Sequence, residues 1–313
     1  MTHLDPRTAM RNDMIGSSEI ELRPLDAPLG AEVIGVDASR PSDPERIEEL
    51  KCALGTYGVV ILRHQKLDDE DAQINFTKSF GETSVPWLHG GERNTFARLG
   101  EISPRPAYSG AHPGCVYWVN DPVHYDRPND GFAQDWHADV SYLQVPLPYS
   151  FLYALKAPDL GYQTWYANQY SACKSLTSNI RRRFENCCIG HSFRSAFPNL
   201  PSVLHPVIRT HPRSGLKVLF GIPGYDEGTP MGIDDTEWSD VRDHLTALLK
   251  KERFVYKHTW RTGDLVIWDN RCVLHRRGPQ VGGQTRILRR SSAFDGTMSD
   301  VRLNLLGMAM HSP

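Results

Sequence analysis

From residue 204 onward the chain is a succession of short apolar runs: HPVIRTHP, LKVLFG, FVYKHTW, DLVIWDN, CVLHRR and TRILRRSSAF. Gly, Pro, Asn and Asp separate them, and one helical stretch near residues 236–251 interrupts them. Each run has the length of a single strand and falls short of an ordinary helix. The same grammar holds upstream, where EIELRPLDAPLGAEVIGV reads as two strands about a Pro/Gly turn, and VVILR and YSFLYALKA read as strands. PERIEELKCALGTYG carries helical spacing and ends at glycine, and DDEDAQINFTKSFGE opens with acidic residues suited to a helix N-terminus and stops at Gly81. A polar GYQT turn precedes another amphipathic stretch that runs to about residue 185. Strands and helices in this order do not alternate as a parallel βαβ sheet requires, so the expected fold is mainly β with covering helices, a sandwich or barrel.

No repeat or low-complexity linker divides the 313 residues, so the expected organisation is one domain over 17–313 behind a flexible N-terminal segment at 1–16. The segment at about 83–134, with VPWLHGGERN and NDPVHYDRPNDG, is rich in Pro, Gly, Asn and Asp. A loop that long inside a compact domain is read as an inserted lid.

A formal charge of −2 argues against nucleic acid or an anionic membrane as partner, which leaves a small molecule. No apolar stretch reaches the roughly 20 residues of a membrane span and the N-terminus lacks a secretion-signal core, so a cytoplasmic protein is expected. Homo-oligomerisation is left open. The six cysteines include the adjacent pair Cys187 and Cys188 and form no disulfide framework, so they are read as reduced thiols. With His191 that pair lacks the four ligands of structural zinc. The run Arg181, Arg182, Arg183 is read as a solvated helix face.

His-x-Asp occurs three times, at His3/Asp5, His124/Asp126 and His137/Asp139. The first lies on the terminus and the second between Pro122 and Pro128, neither a rigid strand. WHADVSYL reads as a strand, which would point Trp136, Ala138, Val140 and Tyr142 one way and His137 and Asp139 the other. A further strand places Val273 and His275 on one face. Two imidazoles and a carboxylate on one face of an octahedron form the facial triad of non-heme Fe(II) oxygenases, with positions left open for co-substrate and dioxygen. Beyond His275, the strand TRILRR puts Arg286, Leu288 and Arg290 on one face, the arginines about 13 Å apart. If that face points inward, each guanidinium needs an anion, supplied by a ligand or by Asp and Glu.

QDWHADVSY, SFLYALKAP, HPVIRTHPRSGLKVLF, FVYKHTWRTGDLVIWDNRCVLHR and TRILRRSSAFDG, in this order, resemble the taurine/2-oxoglutarate dioxygenase family, which includes the 2,4-dichlorophenoxyacetate oxygenases. The likeness runs from about Ile20 to Gly296. It implies a double-stranded β-helix of jelly-roll, cupin-like form, in which His137, Asp139 and His275 bind Fe(II). 2-Oxoglutarate is the implied co-substrate, its distal carboxylate held by Arg286 and Thr164, with O2 as oxidant. The implied reaction releases succinate and CO2 and hydroxylates an unactivated C–H bond by default, with desaturation, cyclisation or cleavage as alternatives. Because Asp139 is retained, the halide position of the related halogenases is filled.

Arg290 matches an arginine that in several members holds the substrate's acidic group; its alternative role is to brace the metal-bound end of 2-oxoglutarate. Val140, Tyr142, Phe197, Tyr225 and Trp87 are further candidates for the substrate pocket. Pro86 stands where the taurine enzymes carry a sulfonate-binding histidine, so taurine is not the expected substrate. A non-catalytic barrel that binds an acidic metabolite, and a zinc hydrolase on the same ligands, are the competing readings.

Overall fold

A computed structural model describes residues 20–83, 108–109, 116–120, 136–158, 162–193, 202–220, 226–278 and 285–295. The terminal segment at 1–16, the other two His-x-Asp triplets, Pro86 and most of 83–134 lie outside them.

The first third contributes β1 (Glu21–Pro24), β2 (Ala31–Ile34), helix α1 (Pro44–Tyr57), β3 (Val59–Leu62), α2 (Glu70–Ser79) and the short β4 (Glu82–Thr83). Next come β5 (Tyr108–Ser109), β6 (Val116–Asn120), β7 (Tyr149–Lys156), β8 (Gln163–Asn168), α3 (Gln169–Ser175) and α4 (Ser178–Phe184). The remainder is β9 (Cys188–Ser192), β10 (Val203–Pro206), β11 (Ile208–Thr210), β12 (Lys217–Leu219), β13 (Asp226–Met231), α5 (Asp235–Leu249), β14 (Val255–Thr259), β15 (Leu265–Asp269), β16 (Val273–Arg277) and β17 (Arg286–Phe294).

A nine-stranded sheet in the order β1-β2-β3-β15-β7-β17-β6-β5, with β4 also on β17, forms the main layer, and a three-stranded sheet, β14-β8-β16, forms another. In the main sheet Val60, Leu62, Phe151, Tyr153 and Ile267 pack with Leu50 and Leu54 of α1 and Phe76 of α2. The intervening Val59, Ile61, Leu152, Ala154, Val266 and Trp268 join a second core with Tyr166, Val255 and Val273 of the smaller sheet. Burial on both faces explains why VVIL, SFLYAL and LVIWD are continuous apolar runs without polar alternation. Each fully buried large side chain contributes about 1.5–3 kcal/mol.

Local chemistry sets the helix ends. Asp43 caps α1 by accepting the Glu45 N–H, Pro44 occupies its first turn, and Gly58 ends it at φ +75° with its N–H on the Leu54 carbonyl. A Cβ at Gly58 would stand 2.6 Å from Val273 Cγ2, so glycine is needed there for backbone and for packing.

Three expectations change. WHADVSYL is no strand: only His137 makes a bridge and residues 139–142 form a turn, in which Val140 has φ +54°. Gln163 and Thr164 are not a turn but the start of β8, and TWYAN is a strand before the α3 helix. Within 83–134 the described residues add strands to the main sheet, β6 pairing with β17 so that Val116 faces Arg290 and Asn120 faces Arg286. In each case the presence or absence of a pairing partner distant in sequence decided what local pattern left ambiguous.

Candidate active site

His137 and His275 meet first through the main chain. The His137 N–H donates to the His275 carbonyl at 3.0 Å and the His275 N–H returns the bond at 2.9 Å, which ties residue 137 to β16 and sets the ring centroids 4.2 Å apart. The chain then turns through Val140, with the Leu143 N–H on the Val140 carbonyl at 3.2 Å. A β-branched residue in this left-handed region costs about 1–3 kcal/mol. Two buried side chains hold the turn: Asn270 Oδ1 accepts the Asp139 N–H at 3.0 Å, and His205 Nε2 lies 2.9 and 3.0 Å from the Ser141 and Leu143 carbonyls.

The turn brings Asp139 Oδ1 to 3.7 Å from His137 Nε2 and 3.6 Å from His275 Nε2. These separations exceed hydrogen-bond length, yet all three ligand atoms lie within 4.8 Å of one another and all three residues are buried. Burial holds the His275 pKa well below its ordinary value despite the nearby Asp139 carboxylate, with His137 and Arg290 also lowering it. A neutral imidazole keeps the lone pair a metal needs. The donor set of two imidazole nitrogens and one carboxylate oxygen fits Fe(II).

Asp139 Oδ2 is engaged differently. It accepts the Ser150 hydroxyl at 2.7 Å and stands 2.6 Å from Arg290 Nη2. In this structure Arg290 is thus an ion-pair partner of Asp139 as well as a wall of the cavity beside it.

That cavity is lined by His137, Leu152, Thr164, Trp268, His275, Arg276, Arg277, Arg286, Leu288 and Arg290. Thr164 and Arg277 are direct cross-strand partners in β8 and β16. The Thr164 hydroxyl oxygen accepts the Trp260 Nε1–H at 3.0 Å, which leaves the hydroxyl proton to be donated elsewhere. The buried Arg286 guanidinium lies 5.2 Å from the Tyr162 ring centroid. Desolvation, with the charge of Arg277 beside it, lowers its pKa to about 9. A cation so placed gains most when an anion arrives.

Among the other candidates, Val140 and Tyr142 are buried and are not among the cavity's walls. The Tyr142 ring packs 5.5 Å from Phe193, while burial first and the Asp139 charge second push its hydroxyl pKa up. Trp87, Phe197 and Tyr225 lie outside the described residues. Ser150, Asn270, Trp260 and Arg277 carried no signal in the sequence pattern, because each acts through a partner on another strand or turn.

A second buried group of metal-compatible residues, His211, Asp269 and Cys272, is present among the described residues. The pair Cys187 and Cys188 forms no such group there, and all five described cysteines are free thiols. The Arg181–Arg183 run is largely solvated, with Arg183 paired to Glu237. No helix among the described residues is long and apolar enough to cross a membrane.

With this geometry in view, relatives of the chain are informative. The alpha-ketoglutarate-dependent 2,4-dichlorophenoxyacetate dioxygenase of Burkholderia sp. (strain RASC) is 28% identical, covering 80% of this chain and 86% of that protein. Pentalenolactone F synthase of Streptomyces arenae is 26% identical over 88% of this chain and 96% of its own. The crystal structure of a taurine dioxygenase from Burkholderia xenovorans matches with a TM-score of 0.70 at 25% identity, covering 88% of this chain and 91% of that one. Residues 21–292 match the family described as taurine catabolism dioxygenase TauD, TfdA, and the chain therefore belongs to the TauD/TfdA family of dioxygenases.

Proposed function

We propose that the protein is an Fe(II)- and 2-oxoglutarate-dependent dioxygenase that hydroxylates a C–H bond of a small, carboxylate-bearing metabolite, releasing succinate and CO2. The observation that carries this reading is the convergence of His137, Asp139 and His275 on one buried point, with the two histidines lining a cavity that Arg286 also lines. The main sheet and the β14-β8-β16 sheet both contribute to that cavity, the arrangement expected of a double-stranded β-helix.

Iron held by His137 Nε2, Asp139 Oδ1 and His275 Nε2 would supply the redox chemistry that couples decarboxylation of 2-oxoglutarate by dioxygen to oxidation of the substrate. The chain's own residues do the rest. Arg286 offers its planar fork to the distal carboxylate of 2-oxoglutarate, and Thr164, its acceptor side taken by Trp260, donates its hydroxyl proton to the same group. Leu152, Trp268 and Leu288 give the cavity apolar walls that limit water. Arg276, Arg277, Arg286 and Arg290 line it, an excess of positive charge that suits a dianionic co-substrate and an acidic substrate together. Arg290 reaches a substrate carboxylate by exchanging one oxyanion, Asp139, for another.

A succinate-release assay with Fe(II), 2-oxoglutarate and a panel of small carboxylic acids, read by mass spectrometry, tests both parts. The expected result is acid-dependent succinate formation with a substrate gain of one oxygen, and a KM for the acid raised about tenfold in Arg290→Gln. Stimulation by neutral compounds alone would remove the carboxylate assignment, and no succinate from folded, iron-loaded protein under any condition would remove the reaction class.

A further inference from the structure

The ligand carboxylate of Asp139 has two oxygens, and only one faces the histidines. What the other does decides how many coordination positions Asp139 can take. Oδ2 accepts the Ser150 hydroxyl at 2.7 Å. Ser150 is itself fixed, because its Oγ accepts from Asn270 Nδ2 at 2.9 Å, so the hydroxyl proton is directed at Asp139. The carbonyl end of the Asn270 amide accepts the Asp139 backbone N–H at 3.0 Å and the Trp268 Nε1–H at 2.9 Å. The two donors fix which end of the amide is oxygen. One buried asparagine thus holds Asp139 at its main chain directly and at its carboxylate through Ser150, and all three residues are buried.

We propose that Ser150 and Asn270 are positioning residues that keep Asp139 a one-oxygen ligand, reserving an adjacent coordination position for the co-substrate. A carboxylate whose second oxygen is occupied by a charge-assisted hydrogen bond loses that bond if it rotates to chelate. Arg290 reinforces Oδ2 at 2.6 Å, but its role at the substrate would draw it away during turnover. Ser150 has no such second task, since it lies within β7 between Trp268 of β15 and Ser292 of β17. The chain reaches this arrangement through the β15–β16 turn, which carries Asn270 beside Trp268.

The inference rests on His137, Asp139 and His275 being the metal site. Its test uses Co(II), which substitutes for Fe(II) without oxygen sensitivity, on the purified full chain and on Ser150→Ala, which removes one hydroxyl from a strand interior. Co(II) binding and d–d absorption are measured first, then the affinity of the Co(II)-loaded protein for 2-oxoglutarate. In Ser150→Ala we expect Co(II) binding retained within about threefold, an altered d–d spectrum, and 2-oxoglutarate affinity lowered about tenfold, within the range seen when groups behind metal ligands are removed. Ser150→Thr, which restores the hydroxyl, is expected to return both the spectrum and the affinity. Unchanged spectrum and unchanged 2-oxoglutarate affinity in Ser150→Ala would overturn the proposal, as would a loss that Thr does not repair in a variant melting like wild type. Co(II) binding by wild type that is indifferent to His137→Ala would instead overturn the metal assignment on which it rests.

Discussion

Among the described residues two buried clusters, His137 with Asp139 and His275, and His211 with Asp269 and Cys272, bring metal-compatible side chains together, and they differ in how their lone pairs are engaged. In the His211, Asp269, Cys272 cluster, His211 Nδ1 accepts the backbone N–H groups of Arg213 and Ser214 at 3.3 and 3.2 Å. Its proton therefore sits on Nε2, directed at Asp269 Oδ2 3.1 Å away. Arg271 grips both Asp269 oxygens, Nε at 2.8 Å from Oδ1 and Nη2 at 2.6 Å from Oδ2. Burial pushes the Cys272 thiol up, so it stays protonated and is a poor ligand. Every lone pair that a metal would use there already has a proton. At His137, Asp139 and His275 the facing atoms stand 3.6 and 3.7 Å apart, too far to satisfy one another. Residue type nominates a site; the disposition of lone pairs decides it.

The largest expected effect breaks the comparison if it fails. His137→Ala is expected to abolish divalent metal binding and reduce 2-oxoglutarate turnover about a thousandfold, the rate equivalent of several kcal/mol of lost metal assistance. His211→Ala is expected to keep the wild-type metal stoichiometry while lowering the melting temperature. Equilibrium dialysis with metal analysis reads both, and a reduced stoichiometry in His211→Ala would show that the second cluster also binds.

Next, Asp269→Ala leaves the buried Arg271 without its main counter-charge and is expected to cost about 3–5 kcal/mol in chemical denaturation. Burial alone would raise the Asp269 pKa, but the charge and hydrogen bonds of Arg271, with help from His211, hold it well below the carboxylate range. A loss under 1 kcal/mol, measured by urea titration at neutral pH, would mean that the pair is not a stabilising element.

Another buried imidazole, His205, sharpens the contrast, because it braces the turn that carries Asp139. Desolvation, then the charge of Arg209, lowers the His205 pKa to about 4, against the pull of the Leu143 and Ser141 carbonyls. In the unfolded chain the group titrates near 6.5, so between about 6.5 and 4 the unfolded state binds more protons than the folded one. Its contribution to stability therefore falls as pH drops through that window, by up to about 3 kcal/mol. Denaturation midpoints from pH 7 to pH 4 should decline less in His205→Gln than in wild type; parallel curves would remove His205 as the cause.

Much of this was legible in the residues. The helices at 44–57 and 70–79 announced themselves by caps and spacing, and the strands from 255 onward by short apolar runs between turn residues. Residue types nominate His137, Asp139 and His275 as a trio, but they do not reveal how the first two come together. A strand would have aligned them by its two-residue period, whereas the structure aligns them by a turn at Val140 and a single bridge to His275. Strand and tight turn share the same aromatic and β-branched composition at WHADVSY, and only the absence of a continuous pairing partner separates them. Thr164 is nominated by resemblance alone, and the polar GYQT composition that suggests a turn instead leads into β8.

By itself the sequence determined the mainly β class of architecture and the family, and it nominated His137, Asp139, His275 and the two arginines of one strand face, because these follow from periodicity and from side-chain chemistry. Tertiary structure alone decided which oxygen of Asp139 faces the histidines, that Arg290 pairs with that carboxylate, and that Ser150, Asn270 and Trp260 stand behind the site. Those are properties of contacts between segments far apart in the chain, where a hydrogen bond exists or fails within a few tenths of an ångström. No local pattern records a distance of that kind.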